Sequence, residues 1–294
     1  MRRTYLSLLL ILFAATSALA QRDFSTVEVK AAKVAGSVYM ITGAGGNIGV
    51  SVGDDGIVMI DDQYAPLAPK IEAALKSITD KPLRFILNTH YHGDHTGGNE
   101  PFGKSAPIVA HENVRKRLSS AVSRGGTTTP PAPAGALPVL TFNDSVTIHL
   151  NGEDVRAVHM PHGHTDGDAV IWFTKSNVVH MGDDFFNGAF PYVDRENGGS
   201  IRGLIANLEK VIAEVPDDAK IIPGHGPVSD RKGLRTFVAM LKGTSAAVEA
   251  AIAEGKSLDQ MKADKVLAAW DSWGAGFIKA DRWIGDLYAE LTGK

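Results

Sequence analysis

Residues 88–99 read NTHYHGDHTGGN and place three of the chain's ten histidines, with one aspartate, within six positions. A short apolar run at residues 85–87 precedes them and predicts a buried strand. Imidazole and carboxylate groups are costly to bury without partners. The fold must therefore deliver this strand end either to a polar turn in water or to a metal ion. Three histidines and an aspartate this close together favour the metal ion.

The order of predicted strands and helices favours an α/β fold. Glycine-rich turns separate strand-like runs at 34–42, 48–52 and 57–61, and apolar spacing predicts a helix over 66–79. Later strands are predicted at 108–110, 145–150, 155–159, 169–173, 178–181 and 221–222, with helices at 111–123 and 201–214. Two such halves predict two sheets packed together with helices outside.

The length of 294 residues and the apolar content of 44% are sufficient for a sizeable core. We predict one domain over residues 21–294, with a helical C-terminal extension from about 230 to 294. Trp270, Trp273 and Trp283 are expected to pack there as core aromatics. Residues 124–138 are rich in proline and glycine, which predicts a loop or lid and excludes a helix or a central strand.

The first 20 residues are typical of a secretory signal peptide. They hold arginines at positions 2 and 3, an apolar run at 6–15 and the sequence Ala-Leu-Ala at 18–20. An uncleaved membrane anchor is the alternative, but the run is shorter than the about 20 residues that a spanning helix needs. We expect cleavage near Ala20, a periplasmic or secreted mature protein, and no stable membrane anchor after cleavage.

Charge and cysteine content exclude several classes of function. The 30 basic and 33 acidic residues become a net charge of about −5 without residues 1–20, which hold two arginines and no acid. No basic field is present to attract nucleic acid. The chain contains no cysteine, which excludes disulfides, thiolate ligands and a cysteine nucleophile. A bound metal must have nitrogen and oxygen ligands.

Further candidate ligands follow other predicted strands. His164 lies in PHGHTDGD, Asp183 in MGDD and His225 in IPGHG. Ligand types that recur at strand ends predict one site at the rim of a sheet. In the 90–95 cluster, alternate residues share a direction, so that His90 and His92 can bind one ion while Asp94 and His95 turn toward another.

The combined motif resembles that of the metallo-β-lactamase superfamily. Its H-x-H-x-D-H pattern is matched by His90, His92, Asp94 and His95, and the likeness extends from about residue 34 to 237. The resemblance implies an αββα sandwich of two mixed β-sheets flanked by helices, with a dinuclear site between the sheets. It implies the following ligands: His90, His92 and His164 on one ion, Asp94, His95 and His225 on the second, and Asp183 as the bridge.

Three neighbouring groups compete for or support these roles. Asp184 is the alternative to Asp183 and His162 is the alternative to His164, although the family pattern favours Asp183 and His164. Asp61 is either a group that orients the ligands or a strand cap. Four other histidines are expected to be structural or to lie at the surface: His111, His149, His159 and His180.

The expected cofactor is two Zn²⁺ ions, with iron or manganese as alternatives. The resulting expectation is an exported zinc-dependent metallo-hydrolase, in which a metal-bridging hydroxide attacks a small ester, thioester, lactone or β-lactam. Asp94 is expected to be catalytic, by orienting the nucleophile or carrying its proton. The carboxylate at position 183 makes the site similar to glyoxalase II-type enzymes. The alternative is a non-hydrolytic periplasmic protein that uses the site for metal binding or for a redox or cofactor-related role.

Overall fold

The computed structural model describes residues 23–124 and 127–293, so the predicted signal peptide lies outside the described residues. The strands are β1 (Lys30–Ala35), β2 (Val38–Thr42), β3 (Ile48–Gly53), β4 (Gly56–Ile60), β5 (Leu83–Leu87), β6 (Ile108–His111), β7 (Val122–Arg124), β8 (Thr127–Thr129), β9 (Leu140–Phe142), β10 (Ser145–Leu150), β11 (Glu153–Met160), β12 (Asp168–Phe173), β13 (Val178–His180), β14 (Lys220–Ile222) and β15 (Ser229–Asp230). The helices are α1 (Ala68–Ile78), α2 (Gly93–Thr96), α3 (Asn99–Phe102), α4 (Glu112–Leu118), α5 (Ile201–Glu214), α6 (Arg231–Ala253), α7 (Leu258–Ala263) and α8 (Ala280–Thr292).

The strands form two mixed sheets and a small hairpin. The first sheet has seven strands in the order β1-β2-β3-β4-β5-β6-β9, antiparallel up to β4 and parallel from β4 to β9. The second has six strands in the order β10 to β15, with β13 and β14 as its parallel pair. Strands β7 and β8 pair with each other. The predicted pair of mixed sheets is confirmed.

Three layers of apolar side chains hold the four-layer arrangement together. Between the sheets, Val58 and Leu87 of the first pack in one cluster with Ala157 and Ile171 of the second. On the outer face of the first sheet, Ile71 of α1 lies fully buried among strand residues. The outer face of the second sheet carries a larger cluster that includes residues of α5, α6 and α8. This is the predicted αββα sandwich.

The helices after residue 230 pack on the second sheet. Helix α6 has the length and apolar composition of a membrane span. Its apolar residues, however, pack in the cluster on the outer face of the second sheet. Trp283 is fully buried there, and Trp270 and Trp273 pack partly buried against the same cluster. The Glu290 carboxylate of α8 accepts hydrogen bonds from the backbone amides of Ile201 and Arg202, both at 2.9 Å, which caps α5.

Several predicted boundaries need correction. The strand predicted over 34–42 is divided by a turn in which Gly36 has a φ of 50°, a left-handed conformation that favours glycine. The helix predicted over 111–123 ends at Leu118, because the hydroxyls of Ser119 and Ser120 donate to the Lys116 carbonyl and the chain then enters β7. The edge strand β9 was not predicted. Its exposed Leu140 breaks the apolar pattern of a buried strand.

A stacked histidine pair joins the two sheets near the end of β6. The His111 and His159 rings lie parallel, with centroids 3.7 Å apart. The Nδ1 atom of His111 accepts the Asn113 amide and caps α4. Burial, and then the adjacent His159, lower the pKa of His111 to about 4. Burial also lowers the pKa of His159, so both rings are neutral in the folded protein at neutral pH.

This pair predicts a pH-dependent loss of stability. His111 binds its proton more weakly when folded than when unfolded, so it has no cost above pH ~6.5 and an increasing one as pH falls toward about 4. Between pH 7.5 and 5, the wild type should lose about 1–2 kcal/mol more unfolding free energy than His111→Asn, which retains a capping side chain. Urea unfolding at both pH values measures this. His149→Asn, at an exposed site, is the control, and equal losses in the wild type and His111→Asn would contradict the prediction.

Candidate metal centre

The seven predicted ligands lie together at one edge of the sandwich. The 90–95 segment follows β5, His164 lies between β11 and β12, Asp183 lies in a 3-10 turn after β13, and His225 follows β14. The side chains form two adjoining groups, and within each group the ligand atoms lie within 4.8 Å of one another. The first group is His90, His92, His164 and Asp183, and the second is Asp94, His95 and His225.

Asp183 contacts both groups with different oxygens. Its Oδ2 atom lies 3.6 Å from Nε2 of His164 and 3.9 Å from Nε2 of His90. Its Oδ1 atom lies 3.0 Å from Nε2 of His95 and 3.3 Å from Nε2 of His225. A carboxylate with one oxygen toward each group of imidazoles has the arrangement of a ligand that bridges two cations.

Asp94 completes the second group. Its Oδ2 atom lies 3.3 Å from Nε2 of His225 and 3.7 Å from Nε2 of His95. Its side chain is about a quarter exposed, whereas Asp183 is buried. Asp94 therefore reaches both the cluster and the solvent above it.

Unpartnered atoms in the cluster fit a bound cation. Nε2 of His90, Nε2 of His95 and Oδ1 of Asp183 are buried and have no hydrogen-bond partner among the described residues. Such groups are costly to leave unsatisfied in the interior. The donor set of imidazole nitrogens and carboxylate oxygens suits a divalent metal.

Outer hydrogen bonds fix the orientation of the imidazoles that face inward. Nδ1 of His95 donates to the Asp61 carboxylate at 2.7 Å, and Nδ1 of His164 donates to the Tyr192 carbonyl at 2.7 Å. Nδ1 of His90 lies 3.0 Å from the Thr89 hydroxyl, which itself donates to Asp61. These contacts turn each Nε2 toward the cluster, where it can bind a metal. Asp61 orients the ligands, the first of its two predicted alternatives.

His92 faces the cluster with its other ring nitrogen, Nδ1 instead of Nε2. Its Nδ1 lies 2.8 Å from Nε2 of His164 and faces the first group, while its Nε2 lies 2.9 Å from Oδ2 of Asp194. The Tyr91 hydroxyl and the Asn197 amide also donate to Asp194. The sequence analysis missed Asp194 because it lies about 100 residues away in a segment without a motif.

The competing residues lie outside the cluster. Asp184 turns away from it and accepts the His164 amide at 3.1 Å, beside the buried carboxyl of Asp168. Burial and the neighbouring Asp168 raise the pKa of Asp184 well above its usual value. His162 is exposed and its Nδ1 lies 3.1 Å from the Gly198 carbonyl. The other histidines that were expected to be structural or at the surface are also outside the two groups: His111, His149, His159 and His180.

The two groups differ in their protonation. Burial lowers the pKa of His164 to about 4, although Asp183 opposes that shift. Burial also acts to lower the pKa of His225, but Asp183 and Asp94 outweigh it and raise that pKa to about 9. The buried His90 and His164 imidazoles of the first group are therefore neutral at neutral pH, whereas a cation that binds His225 in the second group displaces a proton.

A cleft of about 860 Å³ opens above the cluster. His92, Asp94, Asp183 and His225 form part of its lining. Its volume lies in the range of small-molecule sites, roughly 300–1,000 Å³. None of the described residues of the proline-rich 124–138 segment lines this cleft.

The αββα sandwich, with a histidine and aspartate cluster at one edge, defines the class of protein. The sequence matches the profile of the metallo-β-lactamase superfamily over residues 36–225, which is more than half of the chain. The chain belongs to this superfamily, and the matched region contains all seven clustered residues.

The individual relatives have low sequence identity to this chain. The chain is 30% identical to a hydroxyacylglutathione hydrolase of Nitrosococcus oceani over 152 residues, which is 50% of each chain. It is 24% identical to a metallo-beta-lactamase type 2 of Bacteroides fragilis, over 60% of this chain and 70% of that one. A metallo-beta-lactamase from Pontibacter korlensis aligns with a TM-score of 0.61 at 18% identity, over 73% of this chain and 99% of that one. The chain thus spans about half the length of the hydroxyacylglutathione hydrolase it matches.

Asp194 should affect metal binding through His92. Asp194→Asn removes the charge that holds His92 Nε2 and should weaken the binding of Zn²⁺ about 10–100-fold. Competition with a chromogenic chelator measures the affinity. Tyr91→Phe removes another donor to Asp194 but leaves the contact with His92, and serves as the matched control with a smaller loss. Equal zinc affinity in the wild type and Asp194→Asn would show that this contact does not position the imidazole.

Proposed function

We propose that this protein is a dinuclear metal-dependent hydrolase, exported from the cytoplasm, that acts on a small ester, thioester, lactone or β-lactam. The position of Asp183 carries the proposal, because its two oxygens face two separate groups of imidazoles. His90, His92 and His164 would hold one cation, Asp94, His95 and His225 the other, and Asp183 both.

Zinc fits this donor set best. Three imidazoles with an open position are a typical catalytic zinc site, and a second site with a carboxylate also suits zinc, iron or manganese. Bound divalent cations supply Lewis acidity, which lowers the pKa of water to about 7 and polarises the oxygen of a substrate.

Asp94 is the residue best placed to move the proton. In the hydrolysis, a water oxygen bonds to the acyl carbon, the bond to the leaving oxygen, sulfur or nitrogen breaks, and a proton passes from water to the leaving group. Burial acts to raise the pKa of Asp94, but His95 and His225 outweigh it and lower that pKa. Asp94 is therefore ionised at neutral pH and can orient the water and accept its proton.

The position of the cluster under an open cleft supports catalysis over a purely structural metal site. Structural sites are closed, whereas catalytic sites keep access for water and substrate. The relatives named as hydroxyacylglutathione hydrolase and metallo-beta-lactamase support an acyl-transfer reaction to water. The predicted signal peptide supports a periplasmic or secreted location.

The function is tested on the purified mature chain, residues 21–294, loaded with Zn²⁺. Elemental analysis should find two ions per chain. The loaded protein should cleave at least one of four probes, namely a 4-nitrophenyl ester, an acyl thioester, a γ-lactone and nitrocefin. A chelator should abolish this activity and lower the unfolding temperature, and added Zn²⁺ should restore both. A protein that binds two ions but cleaves none of the probes would instead support the non-hydrolytic alternative.

The role of Asp94 predicts a defect in the chemical step. Asp94→Asn keeps the size of the side chain but cannot accept a proton, and kcat should fall by about 10²–10⁴-fold. Circular dichroism and the unfolding temperature report whether the fold is retained, and elemental analysis reports the zinc content. The exposed Asp80→Asn is the matched control. A zinc-loaded Asp94→Asn enzyme with wild-type kcat would show that Asp94 does not carry the proton.

A further inference from the structure

We propose that the cleft binds an uncharged substrate with an extended apolar acyl group, and that Phe277 is a specificity-determining residue that contacts this group. This inference rests on the proposed hydrolase function and adds the substrate class. Three observations carry it: an aromatic wall beside the cluster, a fixed rim that presents an exposed phenylalanine, and the sign of the charges in the cleft.

The aromatic wall begins at the metal-site histidines. The Phe186 ring stacks on His225 with centroids 5.0 Å apart. The Tyr192 ring lies 5.7 Å from His92 and 5.8 Å from His164. Both rings line the cleft, together with Phe277 and Ile278 from the segment before α8. An acyl chain that leaves a carbonyl at the cluster would therefore lie along apolar side chains.

Phe277 is prominent because its side chain is 84% exposed, whereas its neighbour Ile278 is 1% exposed. A single exposed aromatic residue is ordinary on a protein surface. An exposed ring that also lines a catalytic cleft is different, because a ligand there would cover it and gain the free energy of that burial.

The segment that carries Phe277 is anchored on both sides. The Phe190 amide donates to the Trp273 carbonyl at 2.9 Å, and the Phe190 ring stacks on the buried Trp283 at 5.8 Å. The Lys279 ammonium donates to the Gly274 carbonyl at 3.0 Å, which closes the turn around Phe277. The rim is thus formed before a ligand arrives, which reduces the ordering cost of binding.

Beyond the metal site, the charges in the cleft disfavour a second, anionic group on a substrate. Four carboxylates line it, those of Asp94, Asp183, Asp194 and Glu196, and no lysine or arginine belongs to its described lining. Asp94 and Asp183 face the metal site and the buried Asp194 is held by His92, so Glu196 is the exposed acid that a substrate meets beyond the site. A carboxylate on the distal end of a substrate would lack a cationic partner there.

Basic side chains near the cleft lie outside its described lining. The Arg282 guanidinium packs over the Tyr192 ring, 5.3 Å from its centroid, and is not part of the lining. Lys116 and Arg117 line a separate cavity of about 310 Å³ beyond Tyr91. The Arg117 guanidinium is already paired with Asp166 through two hydrogen bonds of 2.8 and 2.6 Å. The basic residues of this region therefore do not supply a carboxylate site within the main cleft.

Matched esters test the proposal on the Zn²⁺-loaded protein. The 4-nitrophenyl esters of acetate, butyrate and hexanoate lengthen the acyl chain, and the 4-nitrophenyl monoester of adipate replaces the methyl end of hexanoate by a carboxylate. We expect kcat/KM to rise at least tenfold from acetate to hexanoate. Full burial of each added methylene would raise kcat/KM by at most about fourfold. The adipate monoester should be at least tenfold poorer than hexanoate.

Two variants locate the effect. Phe277→Ala should lower kcat/KM for hexanoate about tenfold and leave acetate within twofold of the wild type. Leu140→Ala, at a half-exposed apolar residue on the edge strand β9, is the matched control and should change neither. Equal kcat/KM for acetate and hexanoate, a preference for the adipate monoester, or an equal loss on both esters in Phe277→Ala would overturn the proposal.

A binding measurement separates this proposal from the hydrolase function. Calorimetry compares hexanamide with adipamate, its carboxylate-ended counterpart, on the wild type and Phe277→Ala. Tighter, Phe277-dependent binding of hexanamide without hydrolysis of any ester would support the apolar cleft and contradict the hydrolase. Hydrolysis without this preference would contradict the apolar cleft and leave the hydrolase standing. A protein that neither cleaves the esters nor binds hexanamide would overturn both.

Discussion

The arrangement of the site depends on one buried carboxylate. The imidazoles of His225 and His95 hold the pKa of Asp183 well below its usual value, although burial opposes this. An ionised carboxylate in the interior is costly unless it is paired. Its partners come from separate strand ends, so that the edges of both sheets must meet for the charge to be satisfied.

Hydrogen bonds from outside the cluster fix the orientation of its imidazoles. Asp61, Thr89, Asp194 and the Tyr192 carbonyl each engage the ring nitrogen that does not face the cluster. Asp61 itself has a φ of 61°, an uncommon backbone conformation for a residue with a side chain. Backbone strain of this kind persists where the surrounding contacts require it. Here the strained conformation places the Asp61 carboxylate between His95 and Thr89.

The C-terminal helices shape the rim of a site that the two sheets supply. Their apolar residues bury the outer face of the second sheet, and Glu290 caps α5 at the same time. The segment before α8 then brings Phe277 to the rim of the cleft. Packing that stabilises the sandwich therefore also shapes the surface that a substrate meets.

The sequence by itself determined the two mixed sheets, the position of α5 and the seven clustered side chains, because periodicity and a dense local motif are read without knowing distant contacts. It misplaced the end of α4 and missed β9, where short segments take their conformation from neighbours. Tertiary structure alone decided that Asp184 turns away to accept the His164 amide, and that Asp194 contacts His92. Those outcomes depend on side-chain directions set by strands and loops far apart in the chain. Phe277 gave no signal in the sequence either, because only packing against Phe190 and Trp283 brings its segment to the cleft.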